Sequence, residues 1–137
     1  MPFVQISLRA GKPTAYRRAL ADGVQHALIE TLGIPPDDRF RVITEHTAEN
    51  LIYDPRYLGV ARTDDVVFVR ITLGAGRIRV QKRALYARIA ALLAENPGVR
   101  PQDVFITLVE TAAENWSFGN GVAQYADHPP VWLPPQS

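Results

Sequence analysis

Proline at position 2 is the first residue of this chain whose type and place could do chemistry. Methionine aminopeptidases remove an initiator methionine when the next residue is small, proline included, and Pro2 would then carry a free secondary amine. An α-amino group has an ordinary pKa of about 7.7–8.0, near the range that suits acid–base catalysis at neutral pH. The structural alternative is that proline is tolerated at the first position of a strand.

Arg77 is a second candidate, in the stretch GAGRIRV beside Gly74 and Gly76. A planar guanidinium next to glycines and to the N–H groups of a helix start suits a bound carboxylate. The alternative is a solvated cation at the start of a helix, which the helix dipole disfavours. We therefore expect Arg77 to bind an anion.

The composition is that of an ordinary globular domain of 137 residues, with a formal net charge of +1. So small a charge argues against a nucleic-acid partner, which calls for a basic excess. No apolar run approaches the ~20 residues of a membrane span, and no secretory signal is visible, so we expect no membrane partner and a cytoplasmic location. The chain has no cysteine, and His46 with Glu45 and Glu49 lacks the spacing of a metal site, so we expect neither metal nor cofactor.

An internal repeat indicates which structural elements position these candidate residues. It runs without a gap at an offset of 65 residues, as from Gly33 to Gly98. RALADGVQHALIETLGIPPDDRF, residues 18–40, aligns with RALYARIAALLAENPGVRPQDVF, residues 83–105. In each copy a period-2 apolar pattern is followed by helical spacing and a second alternating stretch. The sequence thus predicts two strand–helix–strand units.

Two such units predict an α/β (α+β) domain with a four-stranded mixed sheet and two helices on one face. We expect a single domain over residues 1–137, divided as follows: a first copy at about 2–45, a loop at 46–65, a second copy at about 66–112 and a C-terminal segment at 113–137. The helix-free face, with Phe3 and Phe68, is too apolar to stay in water, so we expect a homo-oligomer. We expect the tail residues Val131, Trp132 and Leu133 to lie over a neighbouring subunit.

The initial Met-Pro, the duplicated unit, GIPPDDRF at 33–40 and ENWSFGNG at 114–121 resemble the tautomerase superfamily, whose members act through an amino-terminal proline. Within it they are most similar to the malonate semialdehyde decarboxylase group, over about residues 1–125. The resemblance implies a tautomerase-like fold and a homotrimer.

The resemblance also implies the site. The group's terminal proline falls on Pro2, its loop aspartate on Asp38, its arginine on Arg77 and its aromatic wall on Trp116 and Phe118. In that group two arginines occur as Arg-Pro-Arg. In this chain the position of the first arginine falls near Ala75, and Arg79 is a candidate to replace that arginine. Asp38 has a structural alternative, because Asp103 holds the same place in the second copy and an aspartate there can satisfy turn N–H groups.

Such a site suits small anionic oxo acids, and two chemistries stay open. A neutral Pro2 amine is a base for keto–enol tautomerisation, our first interpretation. A protonated amine is an acid for decarboxylation of malonate semialdehyde or for hydration. Burial by Trp116 and Phe118 and the nearby arginines favour the neutral form, whereas Asp38 favours the charged form. A catalytically silent trimeric binding protein is the third alternative.

Overall fold

The computed structural model describes residues 1–130 and contains a four-stranded mixed sheet with two long helices on one face, as the repeat predicted. In the order β2-β1-β3-β4, the strands are β1 (Phe3–Arg9), β2 (Phe40–His46), β3 (Val67–Gly74) and β4 (Val104–Thr111). The helices are α1 (Thr14–Leu32), α2 (Arg79–Glu95) and the four-residue α3 (Gln124–Asp127). The expected contact of the tail with a neighbour falls on residues 131–133, outside the described residues.

The strand register shows that the two copies repeat in space. β1 and β2 are parallel with Phe3 opposite Phe40, and their counterparts Phe68 and Phe105 are opposite each other in the parallel pair β3–β4. β1 and β3 are antiparallel, and there Gln5 lies opposite Arg70, which is its own counterpart in the repeat. An approximate two-fold axis therefore passes through this pair and relates the copies.

Both long helices pack on the same face of the sheet because alternate strand residues are apolar and buried there. α1 and α2 also pack closely on each other at Gly23. A Cβ added at Gly23 would lie 2.7 Å from Cδ2 of Leu93, so a larger side chain would force Leu93 to shift. α1 ends at Leu32 and is capped by Gly33, which has a φ of 67° and whose N–H donates to the carbonyl of Ile29.

The opposite face of the sheet carries no helix and presents apolar side chains. Phe40, Val42 and Phe105 are 49%, 45% and 46% exposed. Phe105 meets Phe68 edge-on, with ring centroids 5.2 Å apart. Exposed apolar side chains therefore lie on both outer strands of this face. Among the described residues, no helix combines the length and the apolar character needed to span a membrane.

Asp103 fastens the long connection between the copies to the sheet. Its carboxylate is fully buried and accepts hydrogen bonds from the backbone N–H and the hydroxyl of Thr63, both at 2.7 Å. Arg100 lies 3.7 Å from the same carboxylate. Because a buried charge needs partners, these contacts hold residues 61–65 beside the start of β4.

We expect Asp103→Asn to lower the free energy of unfolding by about 1–3 kcal/mol, because the amide turns one acceptor into a donor that faces Thr63. Chemical denaturation monitored by circular dichroism measures the change.

The matched control is Asp38→Asn, at the equivalent position of the first copy, whose Oδ1 has no hydrogen-bond partner within residues 1–130. We expect the control to change the free energy of unfolding by less than about 1 kcal/mol. Equal losses in the two variants would contradict the anchoring role of Asp103.

Candidate active site

The sheet topology brings four strand ends to one edge of the molecule. Because β1 and β2 are parallel, both start there, with Phe3 opposite Phe40. Because β3 is antiparallel to β1, Thr72 near its end lies opposite Phe3. β4 is parallel to β3 and ends with Thr111 opposite Gly74. The start of the chain, the residues before β2 and the residues after β3 and β4 therefore meet at this edge, which we call the amine edge.

The α-amino group of Met1 lies at the amine edge, 3.7 Å from Oδ2 of Asp38. The side chains of these two residues are 11% and 10% exposed, and Pro2 is buried. Burial lowers the pKa of this amine from 8.0 to about 6, because a charged group loses its hydration; Asp38 opposes the shift and Arg77 adds to it. At neutral pH, burial therefore outweighs the carboxylate and the amine is mostly uncharged.

Asp38 is held in place through its backbone. Its carbonyl accepts a hydrogen bond of 3.2 Å from Nε2 of Gln25, a buried residue of α1. Burial raises the pKa of the Asp38 carboxyl, while the Met1 amine lowers it. The counterpart Asp103 has both oxygens hydrogen-bonded, whereas Oδ1 of Asp38 has no such bond to any described residue. The first copy therefore keeps an incompletely satisfied carboxylate beside an amine.

Arg77 lies in the turn between β3 and α2 and is only 9% exposed. Its Nη1 donates to the carbonyl of Leu32 at 2.7 Å. That carbonyl is one of those that lack an intrahelical partner at the end of α1. Arg77 therefore stabilises the end of α1 and also carries positive charge at the amine edge, where it lowers the pKa of the Met1 amine.

Arg79 differs from Arg77 in its exposure. It is the first residue of α2 and is exposed. In the part of the chain that the structure describes, its side chain makes neither a hydrogen bond nor an ion pair. The structure therefore brings Pro2, Asp38 and Arg77 to one edge and leaves Arg79 on the surface of α2.

Trp116 and Phe118 lie on the segment that follows β4. Their rings stack with centroids 5.4 Å apart, and Phe118 meets the ring of Tyr125 edge-on at 4.6 Å. Nε1 of Trp116 donates to Oγ1 of Thr111 at 2.7 Å, which ties the rings to the end of β4. We call the three half-buried residues Trp116, Phe118 and Tyr125 the aromatic wall.

Sequence reasoning missed Tyr125. The charges of Asp38 and Arg77 both affect the pKa of its hydroxyl. Burial and Asp38 raise this pKa, and Arg77 lowers it. Tyr125 therefore belongs to the amine edge. The available signal was an aromatic residue four positions beyond ENWSFGNG, on a segment that must start from the same edge as the amine.

A cavity of about 340 Å³ lies elsewhere, on the helix-free face, lined by aromatic residues that include Tyr57, Phe68 and Phe105. The charged residues that line it form hydrogen bonds with the backbone. Arg62 donates to carbonyls, and Asp54 accepts from an N–H. We therefore place the candidate active site at the amine edge. Within residues 1–130, no group of three or more His, Asp or Glu residues is arranged to hold a metal ion.

Comparison with known proteins adds independent findings. Two family profiles described as tautomerase enzyme match residues 2–61 and 38–119. Probable tautomerase YusQ of Bacillus subtilis is 44% identical over 124 residues, which are 90% of this chain and 98% of that protein.

Two solved structures have the same fold. The FG41 malonate semialdehyde decarboxylase inhibited by 3-bromopropiolate is 38% identical with a TM-score of 0.87, covering 94% of this chain and 98% of that one. A malonate semialdehyde decarboxylase, studied as wild-type, mutant and inactivated protein for its decarboxylase and hydratase activities, is 27% identical. Its TM-score is 0.88, with coverage of 94% and 99%.

In protein that begins with Met1, we expect the α-amino group to titrate near pH 6. Asp38→Asn should lower this pKa further, because the carboxylate that stabilises the charged amine is gone. An NMR titration of protein with labelled Met1 measures both values.

Asp37→Asn is the matched control, because this neighbour is exposed and acts on the carboxyl of Asp38 rather than on the amine. We expect it to leave the pKa of the amine nearly unchanged. A wild-type value close to 8 that does not respond to Asp38→Asn would contradict the burial of the amine at this edge.

Proposed function

The chain belongs to the tautomerase superfamily, and on this premise we propose that it is an enzyme whose Pro2 amine, freed by removal of Met1, moves a proton on small oxo or enol carboxylic acids. The reaction we assign first is keto–enol tautomerisation. The observation that carries this choice is the desolvation of the amine edge, because a base must be uncharged to accept a proton.

Burial supports the neutral form of the Pro2 amine. The amine of Met1 already has its pKa lowered to about 6 at this edge. Pro2 lies one residue further toward β1 and is buried. Removal of Met1 would also vacate the space of a side chain that is only 11% exposed beside Asp38. The same processing step would thus free the base and open room for a substrate.

In the proposed reaction, one amine first accepts a proton from the substrate and then returns a proton to it. The neutral nitrogen of Pro2 takes the hydroxyl proton of an enol, and the ammonium so formed gives a proton to the carbon. The carbon–carbon double bond becomes a single bond as the carbonyl forms, and the amine returns to its neutral state. Asp38 stabilises the ammonium while it exists.

The surrounding groups have complementary roles in this proposal. The guanidinium of Arg77, fixed by its bond to the Leu32 carbonyl, attracts the carboxylate of the substrate to the amine edge. Exposed Arg79 adds positive charge on the solvent side. The rings of Trp116 and Phe118 cover the substrate and exclude water.

Decarboxylation of malonate semialdehyde, with hydration, is the second candidate. It is favoured by the overall similarity to two structures of malonate semialdehyde decarboxylases. It requires a protonated Pro2, and the carboxylate of Asp38 beside the amine works in that direction. The departure near Ala75, where that group has the first of its two arginines, argues against this candidate. A catalytically silent trimeric binding protein remains the third candidate, and the cytoplasmic location stays a prediction.

We expect Pro2→Ala to lower kcat/KM for phenylenolpyruvate by about 10²-fold, the scale of general acid–base catalysis. Alanine also lets Met1 leave, but it supplies a primary amine without the ring that fixes the nitrogen. Intact-mass measurement first establishes that wild type and variant have both lost one methionine. Arg18→Ala, an exposed change on α1, is the control and should keep full activity.

The pH dependence separates the two chemistries. A neutral base predicts that kcat/KM rises with pH through the pKa of Pro2 and then stays level. Activity on malonate semialdehyde that is lost above this pKa would instead support the acid role. If wild-type protein without Met1 turns over neither substrate, the enzyme proposal is wrong and the binding-protein alternative is favoured.

We also propose that the helix-free face is covered in a homotrimer. Its exposed apolar residues include Phe40, Val42 and Phe105, each nearly half exposed. Exposed apolar side chains of this kind mark a surface for association. The resemblance to the superfamily supports three copies.

We expect Phe105→Glu to dissociate the trimer, because a charge would then be buried against Phe68. Size-exclusion chromatography with light scattering measures the mass. Tyr86→Glu, at an exposed aromatic residue of α2, is the control and should leave the trimer intact. A wild-type protein that is monomeric at micromolar concentration would contradict the proposal.

A further inference from the structure

Gln25 is a polar residue among the buried apolar residues of α1. It is only 5% exposed, and its neighbours Val24 and Leu28 are fully buried. A buried side-chain amide destabilises the fold unless it is hydrogen-bonded. Here Nε2 of Gln25 donates to the backbone carbonyl of Asp38 at 3.2 Å. The amide therefore connects the middle of α1 with a residue of the candidate active site.

The backbone of Asp38 is held on both sides. Its N–H donates to the carbonyl of Pro35 at 3.1 Å, which closes the turn before β2. Its own carbonyl is the group that accepts from Gln25. Ile34, which precedes the turn, is buried in the core. These contacts fix the backbone from which the Asp38 carboxylate projects.

The second copy of the repeat has the same turn without this support. The N–H of Asp103 donates to the carbonyl of Arg100 at 2.9 Å, as that of Asp38 does to Pro35. The counterpart of Gln25 is Ala90, which has no amide to donate. The carboxylate of Asp103 is instead held directly by Thr63. In the first copy the support acts on the backbone, so the carboxylate oxygens stay available to the amine.

The carboxylate of Asp38 needs such support. It is only 10% exposed, its Oδ2 lies 3.7 Å from the Met1 amine, and its Oδ1 has no hydrogen-bond partner within residues 1–130. A carboxylate with so few partners would be better solvated if it turned toward water. The hydrogen bond from Gln25 opposes this movement because it restrains the turn.

We propose that Gln25 is a positioning residue, which keeps the Asp38 carboxylate beside the amine by holding the Asp38 carbonyl. The catalytic consequence rests on the proposed function. When the Pro2 amine takes a proton, the carboxylate stabilises the ammonium only while it stays close, because the attraction weakens with distance. The positioning itself can be measured without turnover, on the amine of protein that begins with Met1.

Gln25→Met removes the donor and keeps a long side chain in the core. In protein that begins with Met1, we expect the pKa of the amine to fall below the wild-type value of about 6, because a displaced Asp38 no longer raises it. The decrease should be about 0.5–1, a part of the ~1–3 that an opposite charge within ~4–6 Å contributes. NMR of labelled Met1 measures it. If Gln25→Met does not fold, Gln25→Ala replaces it, since the second copy has Ala90 at this position.

A double substitution shows whether Gln25 acts through Asp38. In the Asp38→Asn background, Gln25→Met should not lower the pKa of the amine further, since no carboxylate is left to position. The other charges involved are Arg77, which acts on the amine, and Asp37, which acts on Asp38. An equal decrease in both backgrounds would mean that Gln25 acts on the amine by another route, and the inference would be wrong.

Val24→Ala is the matched control for a loss of packing. Val24 is the fully buried neighbour of Gln25 on α1, and its apolar side chain offers no donor to Asp38. We expect this variant to lower the midpoint of thermal unfolding and to leave the pKa of the amine in place. If Val24→Ala lowers the pKa as much as Gln25→Met does, general loosening of α1 explains the effect and the positioning role is overturned.

Kinetics of protein without Met1 give the catalytic consequence. For Gln25→Met we expect the inflection of kcat/KM for phenylenolpyruvate to move to lower pH. The plateau should fall about tenfold, less than the ~10²-fold loss for Pro2→Ala because the base itself remains. If wild type is active and depends on Pro2 but Gln25→Met keeps the wild-type pKa and profile, this inference fails and the proposed function stands. If wild type is inactive while the pKa of the Met1 amine responds as expected, the proposed function fails and the positioning role stands.

Discussion

The antiparallel pairing of β1 with β3 is the constraint on which the rest of the molecule depends. It joins the two β-α-β copies through the pair Gln5–Arg70 and makes these two strands the centre of the sheet. It also decides which strand ends meet. Within each copy the strands are parallel, so this one reversal sends the starts of the first copy and the ends of the second to the same edge. Groups from four distant parts of the sequence thereby come together.

Because the unit is duplicated, the same position can be compared between the two copies. Asp103 and Asp38 are counterparts, and both precede a strand at its start. In the second copy the connecting chain supplies the N–H and hydroxyl of Thr63, so the carboxylate becomes an anchor. In the first copy the amine of Met1 faces the carboxylate instead. The same local structure thus serves stability in one copy and leaves an ionisable pair in the other.

The sequence predicted those parts of the structure that leave a periodic pattern. The repeat and its alternating strands predicted the mixed sheet, and the approximate symmetry of the register follows from them. The burial of Arg77 beside an exposed Arg79 was not predictable, because it depends on Arg77 reaching the carbonyl of Leu32 at the end of another helix. Tyr125 was missed because the segment after β4 has no periodicity, and its position depends on the hydrogen bonds that the side chain of Gln124 makes with Phe118 and Gly119.

The desolvation of the amine is also a consequence of strand order. Chain termini ordinarily lie at the surface, where water keeps an α-amino group charged at neutral pH. Here the first strand is an inner one, flanked by β2 and β3, so its start lies between two other strand ends. A nearby carboxylate would restore the charge if burial were slight, yet the pKa of the amine stays lowered, to about 6. The fold therefore lowers the pKa of the amine of its first residue through topology, and Asp38 limits how far the pKa falls.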